Sequence, residues 1–81
     1  MEINELRKSI GWEIKRKRSE AKLNQKELST KSDVHLSTVR RAEKGERVRD
    51  AELIAIINAL GFNLDIQDFS FIPIEDTPTE S

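Results

Sequence analysis

The first proline stands at position 73, so no proline interrupts the helices of the 72 residues before it, and glycine is left to punctuate them. Ile3, Leu6, Ile10 and Ile14 recur at spacings of three and four, which lays one apolar stripe along a long first helix ending near Ala21. Lys15, Arg16, Lys17, Arg18 and Lys22 largely face outward from it. Asn24 followed three residues later by Glu27 is a capping-box-like start, and a short helix from Gln25 to about Lys31 follows. Ser32, Asp33 and Val34 then make a turn, because Asp tolerates a left-handed backbone and Val34 supplies an apolar plug. A third helix begins near His35 or Leu36. Its buried side is Val39 and Ala42, while Ser37, Thr38, Arg40, Arg41 and Lys44 project elsewhere. Gly45 ends that helix by accepting positive φ. Asp50 opens a fourth, in which Leu53, Ile56, Ile57 and Leu60 share a face, and Gly61 stops it.

After Gly61 the period falls from 3.6 to 2. Phe62, Leu64 and Ile66 alternate with Asn63, Asp65 and Gln67, which predicts one half-buried strand over 62–67 with no second strand in the chain to pair with. Unpaired backbone beside an apolar face invites antiparallel pairing with the same strand of a second copy, making Phe62, Leu64 and Ile66 the expected dimer interface. A competing reading packs the segment on helices one and four of its own chain and forms the dimer through helix four. Residues 73–81, PIEDTPTES, are polar and proline-punctuated and are expected to form a flexible acidic tail, leaving 1–72 as the single domain.

The overall charge of −1 hides a dipole. All 14 Lys and Arg lie between Arg7 and Arg49 against six acids, a net of +8, whereas Asp50 to Ser81 holds seven acids and no base. A basic segment followed by an acidic one suggests two partners, the first a polyanion; the plain alternative is charged helix faces that solvate a small domain. With no cysteine and one histidine, neither a disulfide framework nor an ordinary zinc site can be assembled. Glu2 and Glu5 stand where a signal peptide wants a cationic start, and no apolar run approaches the roughly 18 residues of a membrane span, so a soluble cytoplasmic protein is expected.

Two short helices joined by a turn, the second bearing exposed polar and basic residues, form the helix-turn-helix arrangement that sets a recognition helix in the DNA major groove. Residues 10–45 resemble the Xre or lambda-repressor-like helix-turn-helix family. The resemblance is carried by IG-x-x-I (10–14), Arg18, LNQKEL (23–28), Val34, STV (37–39), Arg41, Glu43 and Gly45, and continues through ALGFNLDI (59–66). Asp33 departs from the family's usual glycine, Ser32 from an aliphatic residue or alanine, and Leu36 from a polar base reader. The resemblance implies an all-α lambda-repressor-like domain of four to five helices, here with the short C-terminal strand used for dimerisation. It also implies sequence-specific binding of a palindromic double-stranded operator by a homodimer, and so association with the nucleoid.

On this resemblance, His35, Leu36, Ser37 and Arg40 read bases: Arg40 suits guanine O6 and N7, Ser37 accepts or donates, and Leu36 meets only apolar edges such as a thymine methyl. Asn24, Gln25, Thr38, Arg41, Lys44 and Arg47 are the expected phosphate contacts, Gln25 aided by the dipole of its helix. The family commonly buries an ion pair of the kind Arg18 and Glu43 would make. The short length and ALGFNLDI look like HipB/HigA-type antitoxins, which implies a cognate toxin partner and autoregulation. A stand-alone repressor of a phage or other mobile element, and an adaptor that has lost DNA binding, remain alternatives. No cofactor or metal is called for. Asp33, His35 and Ser37 are the only residues with the chemistry of a catalytic triad, and spacings of two within a turn make that geometry improbable, so no enzyme is expected.

Overall fold

A computed structural model describes residues 3–65 and 67–74. Four helices, α1 (Ile3–Glu20), α2 (Gln25–Ser32), α3 (Leu36–Glu43) and α4 (Asp50–Ala59), precede two short strands, β1 (Phe62–Leu64) and β2 (Phe71–Pro73). The helix boundaries follow from local chemistry. The Asn24 side chain accepts from the Glu27 amide at 2.7 Å and the Glu27 carboxylate accepts from the Asn24 amide at 2.8 Å, closing the expected capping box. Asp33 ends α2 in the left-handed region at φ 58°, and the Val34 amide returns to the Ser29 carbonyl. Gly45, at φ 81°, lets the Glu46 amide reach back to the Arg41 carbonyl and closes α3.

Ile10, Ile14, Leu28, Val34, Val39, Ala42, Ile56 and Ile57 form one core where the four helices meet. Ile3 departs from the expected stripe: at 61% exposure it lies beyond the reach of the core, and the buried part of α1 begins further along, at Ile10. Thr38 departs in the other direction. It is only 4% exposed and shares the buried face with Val39 and Ala42, so it does not project outward as expected. Gly11, the glycine without a turn to explain it, is buried where α1 crosses α3.

The expectation of a lone strand is overturned. β1 pairs antiparallel with β2, with Phe62 opposite Pro73, Asn63 opposite Ile72 and Leu64 opposite Phe71. Phe62, Leu64 and Phe71 turn inward and pack on the helical core; the Phe62 and Phe71 rings lie 6.1 Å apart and Lys17 of α1 stands 4.8 Å from the Phe62 ring. Phe62 and Leu64 thus pack on their own chain, as the competing reading had it, and do not form an apolar face open to a second copy; Ile66 lies outside the described residues. The strand is also shorter than 62–67, with Gln67 already in the connecting turn. Asp65 organises that turn: its carboxylate accepts from the Gln67 amide, its carbonyl from the Phe69 amide, and its own amide donates to Ser70. Hydrogen bonds from the Ser70 side chain and amide hold the Asp68 carboxyl below its usual range. Pro73, expected in the tail, ends β2, where the missing N–H is tolerated on an edge strand, and the Ile74 amide donates to Gly61. The rest of the expected tail, 75–81, lies outside the described residues.

Candidate nucleic-acid interface

The exposed side of α3 carries Ser37, Arg40 and Arg41, and the capping residue Lys44 continues it. At 3.6 residues per turn these four span an arc of roughly 100°, narrow enough to enter a groove as one surface. Buried Thr38, Val39 and Ala42 anchor the opposite side. Leu36, half-buried, lies one turn before Arg40 on the edge of α3 facing α2, while Ser37 and Arg41 border the other edge. His35 precedes the helix, is exposed, and makes no side-chain capping bond there. Of the four residues expected to read bases, Leu36, Ser37 and Arg40 are thus on the exposed side or edge of α3, and His35 stands just before its start.

The surrounding cations extend this surface. Lys44 and Arg47 are exposed in the turn after α3, and Arg47 shares an open groove with Arg41, Arg7 and Arg49. Arg7 and Arg49 were not singled out as contacts from the sequence; for Arg49 the run RVRD before α4 was the available signal. Asn24 is exposed, but its side-chain oxygen is committed to the capping box, leaving only its amide hydrogens to donate. Thr38 is set back from this surface by its burial and is not among the groups able to meet a phosphate there.

Beneath the surface lies a relay of polar groups. Arg18 donates to Glu43 through Nε at 2.6 Å and Nη2 at 3.1 Å, and its remaining fork nitrogen, Nη1, donates to the Leu23 carbonyl at 2.9 Å. Their side chains are 15% and 4% exposed, so this is a largely buried, bidentate pair in which every guanidinium nitrogen donates once. Gln25 joins the pair to the surface: its Nε2 donates to Glu43 Oε1 at 3.0 Å, and its Oε1 accepts from Arg40 Nε at 3.4 Å. The orientation of the Gln25 amide follows from its neighbours, because a carboxylate only accepts and a guanidinium only donates. Sequence reading placed Gln25 at the DNA surface and missed this inward role, which depends on side chains 15 and 18 positions away.

A helix-turn-helix family model matches residues 14–67, two-thirds of the chain, and spans α2, the turn and α3 complete. The chain belongs to the helix-turn-helix family. Its fold is that of the Xre or lambda-repressor-like members, whose DNA-binding domain carries the helix-turn-helix motif formed here by α2, the turn and α3. No curated protein and no solved structure gives a match to this helix-turn-helix chain. Among the described residues no helix is long and apolar enough to cross a membrane, no cluster of side chains could hold a metal ion, and no hydrogen bond joins Asp33, His35 and Ser37.

Proposed function

We propose that this helix-turn-helix protein represses transcription by occupying a palindromic operator as a homodimer. The observation that carries the reading is the cationic exposed face of α3, with Ser37, Arg40, Arg41 and Lys44 in one arc above a buried ion pair that fixes the frame behind it. His35, Leu36, Ser37 and Arg40 face base edges; Arg41, Lys44 and Arg47 face phosphates, where charge sets affinity and carries no sequence information. The dimer forms through the C-terminal hairpin. Ile72 and Ile74 are 46% and 47% exposed, and a two-stranded sheet leaves an outer edge on each strand for a second copy. A two-fold axis of this kind sets recognition helices about 34–36 Å apart and demands a palindrome. Selecting bound fragments from the native genome with the purified protein tests this: recovered sites share a palindrome under the reading, and recovery of random fragments rejects it.

The narrower reading is an antitoxin that binds a cognate toxin and represses its own operon. It draws on ALGFNLDI and on the charge separation, since residues 50–81 hold seven acids and no base and so offer a second surface that does not favour DNA. A toxin encoded beside this gene that copurifies with the protein supports it. An operator lying upstream of an unrelated gene supports the stand-alone repressor instead.

A further inference from the structure

We infer that the edge of α3 facing α2 reads one particular feature of the major groove, a thymine next to a guanine, with Leu36 on the thymine methyl and Arg40 on the guanine. This rests on the proposed DNA-reading role of α3 and names the sequence that role selects. Leu36 and Arg40 are one helical turn apart and therefore neighbours on the same edge. Arg40 Nε makes one long hydrogen bond, 3.4 Å, to Gln25 at the surface. With Nε engaged by Gln25, itself oriented by Glu43, the two terminal nitrogens of the guanidinium remain to form the paired bonds that guanine O6 and N7 accept. Leu36 has no polar atom to offer, and its half-buried side chain keeps part of its surface in solvent next to Arg40 on that edge. Thymine's methyl is the apolar group the major groove of unmodified DNA presents to such a side chain. A leucine beside an arginine oriented by Gln25 thus matches adjacent T·A and G·C pairs, and mismatches an unmethylated cytosine at the thymine position. Because 5-methylcytosine carries its methyl at the same ring position as thymine, methylation of that cytosine restores part of the lost contact.

The experiment uses the full chain on duplexes carrying the half-site recovered by selection. Each thymine is replaced in turn by deoxyuridine, which deletes only the methyl, and binding is measured for the wild type, Leu36→Ala and Arg40→Ala. One replacement should weaken the wild type about fourfold, the worth of one buried methyl, and should leave Leu36→Ala unaffected. Changing the neighbouring guanine should cost the wild type roughly 5-fold to 150-fold and Arg40→Ala far less. Helical circular dichroism with a cooperative melting transition above the assay temperature confirms that both variants are folded. Gln25→Ala should relax the guanine preference while keeping the response to deoxyuridine. A preferred site in which every thymine tolerates deoxyuridine, or in which the sensitive thymine and guanine are not adjacent, overturns this inference and leaves the repressor reading standing. Absence of any preferred sequence overturns both.

Discussion

Gly11 of α1 lies against the end of α3, where a Cβ would stand 2.8 Å from the Glu43 carbonyl oxygen and closer still to that of Ala42. Both obstacles are backbone and cannot swing aside. Gly11→Ala gains about 1 kcal/mol of helix propensity but forces the two helices apart, an overpacking cost of about 1–3 kcal/mol. The second effect prevails because the same crossing carries the Arg18–Glu43 pair, whose bonds of 2.6 and 3.1 Å lengthen if the helices separate. The variant should melt several degrees below the wild type in calorimetry; an unchanged or raised melting temperature would mean that α1 slides freely at this crossing.

The pair itself should show strong coupling. Arg18→Met leaves the 4% exposed Glu43 carboxylate without its charged partner, and Glu43→Leu leaves Arg18 likewise, each costing about 3–5 kcal/mol in denaturant unfolding. Replacing both together should cost much less than the two single losses added. Additive losses would show that the charges act independently despite their contact.

Much of this frame was legible because its determinants are local. Asn24 and Glu27 are three residues apart, Asp33 and Gly45 sit where a helix must reverse, and Val39 with Ala42 marks a helix face. What escaped depends on groups distant in sequence or on weak local signals. β2 is three residues long, ends in a proline and follows Phe69, which holds a left-handed φ of 58° that few aromatic residues adopt, so FSFIPI gives no clean alternation. Thr38 was read by its polarity as a surface residue; its position beside Ala42 one turn on was the better guide. The bonds of Gln25 to Glu43 and Arg40 exist only once α2 and α3 are packed, and no spacing in the sequence announces them.

Binding to DNA should depend steeply on salt. With Arg41, Lys44 and Arg47 each neutralising a phosphate in both protomers, six counterions' worth of charge is exchanged, and log K against log salt should fall with a slope of about −5. Titrations at several salt concentrations measure it directly, and a slope near zero removes the phosphate assignments.

Arg40 and Arg41 are adjacent but lie toward opposite edges of α3, one against Gln25 and the other within reach of Thr38, whose hydroxyl oxygen accepts from Arg41 Nη2 at 3.5 Å. Arg40→Ala should relax sequence preference by about 1–3 kcal/mol with little change on random DNA. Arg41→Ala should weaken all sequences alike and make the salt slope shallower by about 2, one phosphate from each protomer. Identical behaviour of the two variants on operator and random DNA would refute the division of labour.

The hairpin separates folding from association, because its two faces do different things. Phe71 is turned inward beside Phe62 and Leu64, so Phe71→Ala removes contacts from the protomer itself. A half-buried phenylalanine contributes less than the 3–5 kcal/mol of a fully buried one, and a loss of about 2 kcal/mol is expected at any protein concentration. Ile72 is opposite Asn63 on the outward face, where a lysine meets solvent in the protomer but places like charges and unmet polar groups between two copies. Ile72→Lys should therefore leave melting of the dilute protein unchanged and shift sedimentation at higher concentration to the monomer. Its affinity for a palindrome should fall to that for a single half-site, since one protomer no longer holds the second in place. A variant that stays dimeric with native operator affinity would exclude the outward face of the hairpin as the interface and direct attention to α4, where Ile54 is the exposed aliphatic side chain.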